Sequence, residues 1–233
     1  MRNVRIAFED WTKPLSEMLP GYQKLTCHLI FEIKLSENFR RKARFVADGH
    51  THLVKPSLSY STVVSRDSVR IAFLLAALKS LKILSCDIQN AYLSAPCREK
   101  NYHVAGDEFG SEKGKVFIIK RALYGFRTSG AAFRNFLGKS FSDMGFKPCN
   151  MGDPDVWMRE NCKPNGNKYY EYFHVYVDDL LSVSHDAKGD MEELYDSQRS
   201  FLKTIHTHLL NFLLGSQMIF KEICGLGMWT QHS

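Results

Sequence analysis

The amino-acid sequence predicts an α+β protein in which an antiparallel sheet is packed by helices on one side. Two paired apolar runs, TCHLIFEIKL with RRKARFVADG and YYEYFHVYV with LLSVS, read as β-hairpins because apolar residues alternate or cluster over strand-length segments. The stretch SRDSVRIAFLLAALKS reads as a buried helix. The order is hairpin, helix, strand, strand, helix, hairpin, helix, strand, which lacks simple βαβ alternation and so argues against a parallel sheet.

Each element has a local reason. The first hairpin turns through the polar connection SENFRR and carries a basic cluster, Arg40, Arg41, Lys42 and Arg44. The helix that follows has Ser65 as its N-cap and Asp67 in its first turn, where a carboxylate meets the positive end of the helix dipole. LKILSCDIQNAYL starts as a strand, with Asp87 where the apolar run meets polar residues, and KVFIIKR is a second apolar strand before the glycine-containing loop LYGFRTSG. From Ser129, the residues Phe133, Phe136, Leu137, Phe141 and Met144 recur at helical spacing, and Gly145 stands where a left-handed C-terminal cap belongs. A last helix is expected with Met191, Leu194, Tyr195, Leu202 and Ile205 on one side.

Composition narrows the function classes. Hydrophobic residues at 44% and charged residues at 24% belong to a folded chain. A net charge of +6 is compatible with a polyanionic partner. Cysteines 27, 86, 97, 149, 162 and 224 form no CxxC pair, which argues against structural zinc or a disulfide framework and for a reducing intracellular setting. The longest apolar run, IAFLLAAL, is too short to span a bilayer, so no membrane partner is expected. The N-terminus lacks the apolar segment of a secretory signal. Without a Pro- or Gly-rich linker, one compact unit is expected.

The segment HVYVDDLLSVS sets Asp178 and Asp179 between two buried strands. Adjacent ionised carboxylates repel and lose hydration there, which calls for an open turn, a cation, or both. With Asp87 at the end of another strand, three acids at neighbouring strand ends ask for a divalent ion. Magnesium takes hard oxygen ligands and shares them with substrate phosphates. A polar hairpin turn with a solvated strand end is the plainer alternative.

RKARFVADG, SYSTVVSRDSVRIAFLLAA, CDIQNAYLSAPCREK, GKVFIIKRALYGFRTSGAAF, GFKPCNMGDPDVWMR and VYVDDLLSVSHD together resemble the reverse transcriptases of copia-type LTR retrotransposons, in order and spacing. The resemblance implies a right-hand polymerase, with residues 21–217 as fingers and palm, 1–20 as an N-terminal flank, 218–233 as a truncated C-terminal flank, and the thumb absent. It implies RNA-directed DNA synthesis by two-metal nucleotidyl transfer, with Asp87, Asp178 and Asp179 as catalytic acids holding two Mg2+ ions, or Mn2+ in their place. Tyr92 matches the sugar-side steric gate. Lys42, Arg44 and Arg127 match dNTP contacts, Lys203 the general acid, and Leu213, Leu214 and Gly215 the primer grip. Tyr124 stands where some retroviral relatives carry glutamine. The implied partners are a primed RNA or DNA template, dNTPs, and the rest of a retrotransposon polyprotein (thumb, RNase H, integrase), in a cytoplasmic particle or the nucleus. Two alternatives remain at this stage: an inactive, nucleic-acid-binding remnant of such an element, and a magnesium-dependent nuclease or nucleotidyltransferase on an unrelated fold.

Overall fold

The computed structural model describes residues 4–35, 39–49, 61–197 and 205–210, the last of these as backbone only. In chain order the elements are β1 (Phe8–Trp11), β2 (Gln23–Lys24), β3 (Cys27–Lys34), β4 (Arg40–Ala47), α1 (Arg66–Lys79), β5 (Lys82–Ile88), α2 (Ala91–Ser94), β6 (Asn101–Val104), β7 (Val116–Ile119), α3 (Ser129–Asp143), β8 (Lys147–Pro148), β9 (Val156–Cys162), β10 (Lys168–Tyr176), β11 (Asp179–Ser184), α4 (Ala187–Ser197) and β12 (Ile205–Leu210). The class is mixed α and β with largely antiparallel sheets, β2 and β6 being a parallel pair.

The expectation of one unit gives way to two. Among the described residues, those up to 61 with those of 90–136 form one compact unit, and those of 62–89 with those from 137 onward form the other. The chain crosses between the units three times, so no linker composition marks a boundary.

In the first unit, β1, β7, β6 and β2 form a four-stranded sheet, and β3 and β4 form the expected hairpin. Residues 8–11, within the stretch read as a flank, pair with β7 from Phe8↔Ile119 to Trp11↔Val116, and Ala7 and Phe8 belong to the core. That core is aromatic: Phe8, Phe45, Phe109 and Phe117 meet mostly edge-on or tilted, the lower-energy arrangements for ring quadrupoles.

The second unit is built on the six-stranded sheet β12-β5-β11-β10-β9-β8. Residues directly opposite in an antiparallel ladder share a face. Ile83 and Val183, Ser85 and Leu181, and Asp87 and Asp179 are opposite pairs and define one face. Val69, Ala72 and Ala76 of α1 pack there on Ile83, Leu181 and Val183, at the end of the strands away from the two aspartates. On the reverse face, Met191 of α4 meets Cys86, and Phe141 of α3 meets Phe173 with ring centroids 4.8 Å apart. Helices therefore cover both faces, not one. Apolar residues on both sides of β5 and β11 require this, since Ile83, Leu84, Leu180, Leu181 and Val183 are all buried.

The caps follow the sequence. Ser65 accepts a hydrogen bond from the Ser68 amide at 3.1 Å, and Gly145 has φ of 86°. The Phe146 amide donates to the Phe141 carbonyl at 2.8 Å, closing a Schellman turn. Asp153, remote in sequence, adds a second cap to α1 by accepting from the Ser65 amide at 2.7 Å and the Ser68 hydroxyl at 2.8 Å. The expected last helix is described over Ala187–Ser197, Leu202 lies outside the described residues, and Ile205 lies instead in β12, which pairs with β5. Pairing along the open edge of β5 overrides the helical period of the sequence there.

Behind the reverse face, Asp190 is buried beside Glu171, Arg159 and Glu193, with a hydrogen bond from Ser182 at 3.1 Å. Burial raises its pKa to about 6; the nearby hydroxyls of Ser184 and Ser182 and the charge of Arg159 oppose this rise and the charge of Glu171 adds to it. The folded state thus holds this proton more tightly than the unfolded chain. The resulting destabilisation is present above pH 6 and is relieved as pH falls through 6 towards the ordinary carboxylate value. Asp190→Asn is expected to stabilise the protein by about 1–3 kcal/mol at pH 8 and by much less at pH 4, measured by urea unfolding at both pH values.

Candidate active site

The YVDD segment forms a two-residue hairpin turn. Tyr176 and Asp179 are the last opposite pair of β10 and β11, and Val177 and Asp178 make the turn. Val177 has φ of 56°, whereas Asp178 does not enter the left-handed region, the pattern of a type II′ turn. Glycine is the usual residue at that first position. A β-branched side chain there is strained by about 1–3 kcal/mol, a cost that persists only where the surroundings impose it. Here the Asp178 carbonyl accepts the Ile88 amide at 2.9 Å, tying the turn to the end of β5.

The same register brings the acids together. Asp87 lies directly opposite Asp179, and Asp178 adjoins it at the turn; all three are half-buried. Burial, followed by the charges of Asp178 and Asp87, pushes the Asp179 carboxyl up to about 7. Negative charge is therefore concentrated at this strand end. Among the described residues, no three His, Cys, Asp or Glu side chains are grouped closely enough to hold a metal ion by themselves. An all-oxygen set of this kind suits magnesium, which binds one or two carboxylates and completes its shell with water and substrate phosphates.

The other sequence candidates in the described residues belong to the first unit. Tyr92 sits on the single turn of α2, half-buried, with its ring 4.8 Å from that of Tyr124 and 6.2 Å from that of Phe133. Lys42 and Arg44 share one face of the β3–β4 hairpin, opposite Glu32 and Ile30 respectively. Arg44 donates to Glu32 at 2.6 Å, so an anionic ligand at Arg44 competes with an internal carboxylate. Arg127 is exposed in the segment before α3. Lys203, Leu213, Leu214 and Gly215 lie outside the described residues.

Sequence reasoning missed the Tyr124 ring contact and the Asp153 cap. Both join residues far apart in the chain, and neither has a local signature. Val177 was readable in principle, because a two-residue connection between strand-length runs demands a turn geometry.

Among the described residues no helix is long and apolar enough to cross a membrane. Residues 19–222 match the family described as reverse transcriptase (RNA-dependent DNA polymerase). The chain is also 27% identical over 196 residues to the retrovirus-related Pol polyprotein from transposon RE1 of Arabidopsis thaliana, covering 80% of this chain. To the corresponding polyprotein from transposon RE2 of the same plant it is 27% identical over 206 residues, covering 83% of this chain. In each case the chain spans 13% of the relative's length. The paired aspartates at the YVDD turn thus sit inside a matched region that takes in most of the chain, which belongs to the reverse transcriptase (RNA-dependent DNA polymerase) family, as a copia-type region of a retrotransposon polyprotein.

Proposed function

We propose that this chain carries the fingers and palm of an RNA-directed DNA polymerase, joining a dNTP to a primer 3′-hydroxyl on an RNA or DNA template. The observation that carries the reading is the register of β5 against β11, which sets Asp87 opposite Asp179 beside the Asp178 turn. Reverse transcriptases of this family generally use divalent metals. Bound magnesium supplies charge neutralisation at the triphosphate and activation of the attacking hydroxyl. Asp87 and Asp178 are the residues to hold it, with Asp179 beside them. The carboxylates contribute fixed negative charge that needs no reorganisation during reaction, and the Ile88–Asp178 backbone bond keeps the turn registered on β5. Lys42, Arg44 and Arg127 serve as phosphate and nucleotide contacts, Arg44 exchanging Glu32 for triphosphate oxygens. The primed template, dNTPs and the other segments of a retrotransposon polyprotein are the partners in this reading.

The direct test is extension of oligo(dT) on poly(rA) by the purified chain, with magnesium and with EDTA. Magnesium-dependent dTTP incorporation is expected. Its absence at every protein concentration, with template binding intact, would favour a binding remnant.

Tyr92 is the sugar gate in this proposal, its ring crowding a ribonucleotide 2′-hydroxyl. Tyr92→Ala is expected to raise the ratio of rNTP to dNTP incorporation by about tenfold or more, on the order of the 1–3 kcal/mol that fit alone contributes to discrimination. An unchanged ratio in single-nucleotide extension would make Tyr92 a packing residue.

A further inference from the structure

Tyr92 cannot be held by its own element. α2 is one turn long, its N-cap Asn90 is in the left-handed region, and no side chain caps it. A single turn is too short to be stable on its hydrogen bonds alone. The gate ring must be fixed by what it touches, and its nearer ring neighbour is Tyr124.

Tyr124, in turn, is fixed through its backbone. Its carbonyl accepts the Ala47 amide at 2.8 Å, and Val46 and Tyr124 form a parallel bridge at the end of β4. The next residue, Gly125, has φ of 93°, and a Cβ there would run into the Ala47 carbonyl oxygen. Backbone this close to β4 requires glycine on two counts, handedness and space. Lys42 and Arg44 lie on the same strand, a few residues before Val46.

From this chain of contacts we infer that Tyr124 is a positioning residue for nucleotide selection: its ring sets the place of the Tyr92 gate and links that gate to β4. The inference rests on the proposed polymerase reading and on Tyr92 as gate. It assigns Tyr124 a task different from direct contact with the nucleotide. A triphosphate that draws on Lys42 and Arg44 acts on the strand to which Tyr124 is bonded, so capture of the phosphates and fit of the sugar are joined through one aromatic pair.

The experiment compares Tyr124→Ala, Tyr124→Phe, Tyr92→Ala and the double variant Tyr92→Ala/Tyr124→Ala. The main readout is the rNTP to dNTP ratio in single-nucleotide extension, which loss of folded protein alone does not change. Tyr124→Ala should raise the ratio about two- to tenfold, the range an aromatic pair contributes to an equilibrium. Tyr124→Phe, which keeps the ring, should match the unsubstituted chain. The double variant should show no more than the rise of Tyr92→Ala, because a gate that is gone cannot be misplaced. A ratio unchanged in Tyr124→Ala while Tyr92→Ala raises it, or effects that multiply in the double variant, would overturn the inference. If Tyr92→Ala itself leaves the ratio unchanged, the gate reading falls and takes the inference with it. A second readout needs no catalysis: in protein with 13C-labelled tyrosine, the Tyr92 ring signals, assigned by their loss in Tyr92→Ala, should shift in Tyr124→Ala and hold in Tyr124→Phe. Absence of extension by the unsubstituted chain would count against the polymerase reading alone. Unmoved Tyr92 signals would then reject the positional link, and moved signals would uphold it.

Discussion

Asp178→Asn is expected to reduce primer extension by at least about a thousandfold while leaving the protein as stable as before, or more so. The activity loss follows from removing a fixed charge aimed at the reacting phosphates, a change of the same kind as deleting a preorganised catalytic donor. The stability expectation follows from the site's own electrostatics. Asp178 is among the causes that hold the Asp179 carboxyl up at about 7, so neutralising it relieves repulsion. Asparagine also suits the second position of the turn, where glycine–asparagine pairs are common in hairpins. A gel extension assay beside a thermal melt reads both quantities. Retained extension would remove Asp178 from the proposed metal ligands. A large fall in melting temperature would mean that the carboxylate holds the turn together instead of serving chemistry.

The largest stability effect is expected far from those acids, at Arg159. Its guanidinium donates to Glu171 at 2.9 Å, to the Met144 carbonyl at 2.7 Å and, through both terminal nitrogens, to Glu193 at 3.1 and 3.0 Å. It also lies 4.3 Å from the centroid of the Phe146 ring. Burial lowers the guanidinium pKa, but the hydrogen bonds of Glu193 and Glu171 outweigh this and raise it, as expected of an ion clasped by carboxylates. Glu171 is only 1% exposed, and its remaining partners, Asn161 and Tyr169, are neutral. Arg159→Ala would strand a buried carboxylate and uncover a carbonyl at the end of α3. The expected loss is about 3–5 kcal/mol, the cost of breaking one side of a buried pair. Arg159→Lys should recover little, because an ammonium cannot reproduce the planar fork. Combining Arg159→Met with Glu171→Gln should recover much of the loss by removing both charges. Urea unfolding of the four proteins decides it, and a loss below about 1 kcal/mol for Arg159→Ala would show that water reaches Glu171.

Several features were legible in the chain for local reasons. Ser65 and Gly145 cap helices because a hydroxyl meets orphan amides and a glycine accepts a left-handed backbone, both decided within one turn. The two hairpins were legible because their apolar runs are bounded by polar or charged connections. The acids of YVDD stood out because carboxylates between buried strands are costly without a purpose. In contrast, β6 and β9 have no comparable local signature, and β12 contradicts its own helical spacing.

The sequence by itself determined the α+β class, the two hairpins, the capped helices and the strand-end acids, since propensity, capping and apolar period act over a few residues. Only the tertiary structure decided the strand order that puts Asp87 opposite Asp179, the helices on both faces of the large sheet, the interleaving of two units, and the meeting of Tyr92 with Tyr124. These depend on contacts between segments tens of residues apart, whose free energy comes from burying surfaces together and leaves no mark in either segment alone.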